Sequence, residues 1–173
     1  GRYVHETCPK DLALAMEEDT CPTIGACPVM GTANTMQALS EAIGLTVWGT
    51  STIPAYVSRK KVSCQITGRR IVQMVNENLT TDKILTKKAL YNGIKFSQAI
   101  NGSTNAVMHL ISMGKELDID IDLAEFDIIS KQTPAILNIC PIGPYTVDEL
   151  YDYGGVPQIM KQLESLLNLE VLD

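Results

Sequence analysis

The residue best suited to chemistry is Cys27, in the run Gly25-Ala26-Cys27-Pro28-Val29-Met30-Gly31-Thr32-Ala33-Asn34-Thr35-Met36. Small residues precede the thiol, and glycine with small polar residues leads from it into an apolar helical pattern. This predicts a tight turn at a helix N-terminus, where unpaired N–H groups and the helix dipole favour a thiolate. A thiolate so placed suits metal ligation or nucleophilic attack. Buried cysteine also serves as a small hydrophobe, and the local sequence leaves that reading open.

The other chemically able residues carry weaker patterns. Cys21 and Cys27 are too widely spaced for a zinc knuckle, and no paired cysteine or histidine set stands elsewhere. His109 falls within an apolar helical pattern and reads as a satisfied helix histidine, while His5 lies in a weakly patterned leader. Ser103 has no evident base partner, so a hydrolase triad is not supported. Asp118, Asp120 and Asp122 alternate like a calcium loop but lack its glycine and terminal glutamate, and read as a helix-to-helix connection. Gly31-Thr32 and Gly102-Ser103-Thr104 are able to present N–H groups to an anion, or simply to cap helices.

Helices must position these residues. Leu12, Leu14 and Met16 suggest a short helix ending near Glu17-Glu18-Asp19. The span Gly31 to Ile43 reads as a helix with Met36, Leu39 and Ile43 on one face and Gly44 ending it. A long helix is expected from Ser58 to Leu79 with Val62, Ile66, Val72 and Val75 inward. Thr86 caps a helix carrying Leu90 and Ile94, and the turn Asn101–Asn105 enters one carrying Val107, Leu110, Ile111, Gly114 and Leu117. Asp122 with Glu125, and Thr146 with Glu149, have capping-box spacing. Pro157 suits the first turn of a helix carrying Ile159, Met160, Leu163 and Leu166. Strands are expected at Leu45–Trp48 and, more clearly, at Ala135–Ile139 between Pro134 and Pro141.

The chain has 173 residues, 45% of them hydrophobic, enough for a sizeable core. Its net charge of −6 and pI near 4.9 argue against a nucleic-acid binder. No apolar run approaches the roughly 20 residues that span a bilayer, and the start carries no signal-peptide pattern. Five cysteines in a chain of this size favour a reducing, cytoplasmic setting over a disulfide scaffold.

Three segments together carry a resemblance. Gly25-Ala26-Cys27 with Met30-Gly31-Thr32-Ala33-Asn34-Thr35-Met36 resembles a central motif of the dihydroxy-acid dehydratase and 6-phosphogluconate dehydratase family. Asn101-Gly102-Ser103-Thr104-Asn105-Ala106-Val107-Met108-His109-Leu110 is similar to its second block, and Gly154-Gly155-Val156-Pro157 to a third, in the family's order. The resemblance runs from about Cys21 to Asp173, after a weakly patterned leader over residues 1–20. It implies an α/β fold, of which 21–173 is a helix-rich part of a three-layer α/β/α N-terminal domain with the C-terminal domain absent. It implies a hydro-lyase that converts a 2,3-dihydroxy carboxylic acid to a 2-keto acid with an iron–sulfur cluster, 2Fe–2S in preference to 4Fe–4S, and Mg2+. It implies that Cys27 is one of three cluster cysteines and that Thr32 lines the substrate site. A small-molecule hydroxy acid, the remaining segments of the parent chain and a second copy in a dimer or tetramer are the implied partners, with no nucleic acid and no membrane.

Pro28-Val29 replaces the glycine that usually follows the ligand cysteine in members of branched-chain amino acid biosynthesis. Met30-Gly31-Thr32-Ala33, with Ile53-Pro54-Ala55 and Ser58-Arg59, tilts the resemblance slightly toward sugar-acid metabolism. The family's other cluster cysteines, magnesium ligands and serine base have no counterpart here, so the chain reads as an interior fragment that is inactive alone. Two other readings stand beside this one: a non-catalytic helical binding or assembly module on the same scaffold, and a Cys27-nucleophile enzyme with His109 as its base.

Overall fold

A computed structural model describes residues 8–19 and 24–171. Cys21 and residues 1–7 and 20 of the leader reading, His5 among them, lie outside them. Among the described residues nine helices follow in order: α1 (Lys10–Glu18), α2 (Thr32–Ala42), α3 (Ser58–Asn76), α4 (Thr81–Ile84), α5 (Lys87–Ala99), α6 (Asn105–Glu116), α7 (Leu123–Gln132), α8 (Val147–Asp152) and α9 (Gly155–Gln162). Single 3-10 turns follow at Glu164–Leu166 and Leu169–Val171. This is the helix-rich architecture the sequence implies. Among the described residues no helix is long and apolar enough to cross a membrane.

The core forms around α5, which packs on α2, α6 and α7, while α9 closes over α2 and α8. Leu39, Leu90, Ile94, Phe96, Leu110 and Leu163 lose essentially all contact with water there. Helical periodicity places these residues on facing stripes, and their burial drives the assembly. Gly93 lets α5 approach α2 closely, since a Cβ there would lie 2.7 Å from Ile43 Cγ2.

Helix ends follow the sequence signals. Thr86 Oγ1 accepts the Ala89 N–H at 3.2 Å, and Asp122 Oδ1 that of Ala124 at 2.9 Å, although the capping box expected with Glu125 does not form because Glu125 Oε2 accepts from Tyr91 OH instead. Glu149 accepts the Thr146 N–H at 2.7 Å, as a capping box requires. At the end of α2, Gly44 takes φ +88°, Leu45 N–H reaches Ser40 O and Gly44 N–H reaches Glu41 O, a Schellman closure. Asn101 closes α5 and Asp118 closes α6 in the same manner, at φ 50° and 56°. Asp118 and Asp122 therefore end one helix and start the next, the connection expected of that acidic run.

Two expectations fail. Among the described residues there is no β-ladder, only an isolated bridge between Ile139 and Tyr145. Leu45–Trp48 is a run of bends and turns. Ala135–Ile139 is extended but pairs with the end of α5: Ile136 N–H donates to Ala99 O at 2.7 Å, and Asn101 Nδ2 donates to Leu137 O at 2.9 Å. The end of α5 thus takes the Ile136 N–H and the Leu137 carbonyl that a neighbouring strand would otherwise pair. Helix α3 spans the expected range, yet Val62, Ile66, Val72 and Val75 are exposed and Ser63 is its only buried residue. No other helix packs broadly against α3, so its apolar residues find no cover among the described segments.

Candidate functional site

Cys27 sits in an exposed loop of its own, and α2 begins five residues later at Thr32. The thiol thus precedes the helix rather than occupying its first turn. Gly25 takes φ +95°, and a Cβ there would lie 2.7 Å from Ala55 Cβ, so the residue before Ala26 must be glycine. Asn34, buried on α2, donates from Nδ2 to Cys27 O at 2.5 Å and to Val29 O at 2.8 Å. Met30 N–H donates to Cys140 O at 2.7 Å, and Val147 N–H to Pro28 O at 2.9 Å. These bonds hold the backbone from the Cys27 carbonyl through Met30, and the thiol itself is exposed.

The loop borders a cleft of about 520 Å³. Its walls are Ile24–Pro28, Asn34 and Gln37 of α2, the segment Ser51–Tyr56, Lys60 of α3, and Thr146–Asp148. The second wall is held by Glu41, which is 1% exposed. Its Oε1 accepts the Gly49 N–H at 2.6 Å, and its Oε2 the Ser51 N–H at 2.8 Å. Gln37 Nε2 donates to Ser51 O. Helix α2 thereby fixes both the thiol loop and the wall beside it. Lys60 and Asp148 are the cationic and anionic side chains on the walls.

The three sequence blocks meet around α2. Thr32 Oγ1 lies 3.0 Å from Ser103 Oγ and accepts from Asn105 Nδ2 at 2.8 Å. Thr35 Oγ1 accepts the Ser103 N–H at 3.0 Å. Gly102 permits this contact, because a Cβ there would stand 2.8 Å from Thr35 Cγ2. In the third block Gly155 takes φ +62°, and a Cβ on it would reach within 2.4 Å of Thr52 Oγ1. The second and third blocks therefore act as close-packing devices against the two cleft-bearing segments. Thr32 itself is committed to the Ser103 block and is not among the residues around the cleft.

His109 is half-buried on α6 and is likewise absent from the cleft walls, so the structure does not bring it to Cys27. Among the described residues no three or more His, Cys, Asp or Glu side chains gather as a metal site. An exposed thiol on a fixed loop fits one cluster ligand, but one thiolate does not hold an iron–sulfur cluster. Glu41 and Ser51 carry no motif-like signal in the sequence. Asn34 lies inside the recognised block, whereas Glu41 reads as a solvated helix residue.

Residues 1–173 match the family model described as dihydroxy-acid/6-phosphogluconate dehydratase N-terminal. The chain is 48% identical over 148 residues to a dihydroxy-acid dehydratase of Ignicoccus hospitalis, covering 86% of this chain and 27% of that protein. It is 41% identical over 155 residues to a dihydroxy-acid dehydratase of Thermodesulfovibrio yellowstonii, covering 90% and 28%. A dihydroxy-acid dehydratase of Caldanaerobacter subterraneus is 40% identical over 160 residues, covering 91% and 29%. The chain spans less than a third of the length of these curated relatives.

Proposed function

The chain belongs to the dihydroxy-acid/6-phosphogluconate dehydratase family, and from that premise we propose that it is the Cys27-bearing part of a hydro-lyase acting on a 2,3-dihydroxy carboxylic acid. The overall reaction removes the C2 proton and the C3 hydroxyl as water, and the resulting enol becomes the 2-keto acid. The observation that carries this reading is the exposed Cys27 thiol on a loop held by Asn34, Cys140 and Val147 at the edge of a cleft large enough for a small acid.

In this reading Cys27 is one ligand of an iron–sulfur cluster, 2Fe–2S by resemblance, and the remaining ligands and the Mg2+ site come from other segments of the protein. When bound, such a cluster supplies a Lewis acid for the leaving hydroxyl. The residues described here orient the thiol: Asn34 fixes its carbonyl, and Gly25 lets the loop lie against Ala55. The substrate is a dihydroxy acid of the kind for which the relatives are named, or an aldonic sugar acid, the branch that Met30-Gly31-Thr32-Ala33, Ile53-Pro54-Ala55 and Ser58-Arg59 resemble. A cytoplasmic homo-oligomer completes the proposal.

The test is Cys27→Ser in the full-length protein. Loss of the visible cluster absorption, together with loss of 2-keto acid formation, is expected; a wild-type visible spectrum in the variant would show that Cys27 is not a ligand. The isolated 173-residue chain, incubated with iron and sulfide, is expected to form no keto acid, and turnover by it would overturn the assignment of the missing ligands to other segments.

A further inference from the structure

Among the described residues, Ser51 Oγ is the buried side-chain polar atom without a hydrogen-bond partner. Ser51 is 3% exposed and belongs to the wall of the Cys27 cleft. Its backbone is clamped on both sides, the N–H by Glu41 at 2.8 Å and the carbonyl by Gln37 Nε2. Both clamps stand on α2, whose Asn34 also holds the Cys27 carbonyl. One rigid helix therefore sets the thiol and the serine relative to each other. The neighbouring Thr50 is different, since its hydroxyl is satisfied locally by Val47 O at 2.5 Å.

A buried hydroxyl left unpaired forfeits the hydrogen bonds it makes with water, and folded proteins rarely tolerate this without a reason. Here the fold holds the backbone of Ser51 with two hydrogen bonds and supplies nothing to its side chain. The O–H turns about a single torsion, and Ser51 lies among the residues that line the cleft. We propose that Ser51 is a substrate-contacting residue whose hydroxyl donates a hydrogen bond to an oxygen of the hydroxy acid seated in the Cys27 cleft. The proposal rests on the dehydratase reading above and adds to it a residue that selects acids by an oxygen at a fixed place. A site built to hydrogen-bond an oxygen rejects analogues that lack it far more strongly than an apolar wall does.

The experiment uses the full-length, cluster-loaded protein as wild type, Ser51→Ala and Ser51→Cys, with 2,3-dihydroxy-3-methylbutanoate and L-arabinonate as probes. Visible absorption, the thermal midpoint without and with each acid, and kcat and KM for keto-acid formation are recorded. Ser51→Ala is expected to keep the visible spectrum and a substrate-free midpoint at or above that of the wild type. It should lose the substrate-induced rise in midpoint, and its kcat/KM should fall roughly ten- to hundredfold. Ser51→Cys, with a weak donor of similar shape, should fall less. Loss with both acids places the contact on a group they share, and loss with L-arabinonate alone places it on a hydroxyl of the sugar tail; either supports the proposal. Unchanged kcat/KM in Ser51→Ala overturns it. So does a lowered substrate-free midpoint in both variants, which would make the hydroxyl structural, or an altered cluster spectrum with unchanged KM. A wild-type protein with neither chromophore nor turnover refutes the dehydratase reading itself, whereas an active wild type matched by Ser51→Ala refutes only the role of Ser51.

Discussion

Replacing Glu41 by alanine should release one wall of the cleft without unfolding the helix that carries it. The carboxylate is buried and receives two backbone N–H groups, Gly49 at 2.6 Å and Ser51 at 2.8 Å. A hydrogen bond to a charged group contributes about 1.5–3 kcal/mol, so the pair holds the loop by about 3–6 kcal/mol. Each 1.4 kcal/mol corresponds to a tenfold change in equilibrium, so opening of residues 49–51 should become easier by roughly two to four orders of magnitude. Glu41→Gln keeps one acceptor oxygen and should give about half that effect. Native-state amide hydrogen exchange reads this directly, because a local opening exposes the Gly49 and Ser51 amides without global unfolding. Amides in α5, remote from the loop, serve as the control. Unchanged protection of Ser51 in Glu41→Ala would refute the clamp, and wild-type protection in Glu41→Gln would refute its charge-assisted nature.

Gly102→Ala would push a methyl group to within 2.8 Å of Thr35 Cγ2 and 3.2 Å of Ser97 O; the strain should cost about 1–3 kcal/mol and lower the midpoint of chemical denaturation, and an unchanged midpoint would refute the close contact. Tyr91 is pushed up to about 12 by burial first and then by the hydrogen bond and charge of Glu125. Its folded value lies above its ordinary one, so its contribution to stability is complete below about pH 10 and drains away as pH rises toward 12. Thermal midpoints should therefore fall more steeply across that window in the wild type than in Tyr91→Phe, and parallel curves would contradict this.

The elements most legible in the sequence were those whose signals are local. Thr86, Asp122 and the Thr146–Glu149 pair start helices where their spacing places them, because a cap needs only residues within one turn. Gly44 ends α2 for the same reason. The misses depend on what lies opposite. Ala135–Ile139 has the composition of a strand, but its backbone groups are taken by the end of α5. Val62, Ile66, Val72 and Val75 read as inward on α3, yet inward has meaning only against a neighbour, and none covers them among the described segments. In the site, Cys27 was legible from its type and setting, while Ser51 was hidden. A serine in a loop carries no sign that its hydroxyl is buried, and Glu41 gives no sign that two distant amides converge on it.

The pair of backbone bonds that ties the Cys27 loop to Cys140 and Val147 also sets a timetable. Synthesis runs from the N-terminus, and domains assemble as their segments emerge. The thiol leaves the ribosome first, and the carbonyl and amide that frame its loop follow more than a hundred residues later. Until that later stretch is out, only Asn34 of α2 holds the loop, and Pro28 and Met30 lack their backbone partners. The fully framed setting of the Cys27 thiol exists only once the segment around Val147 has been made.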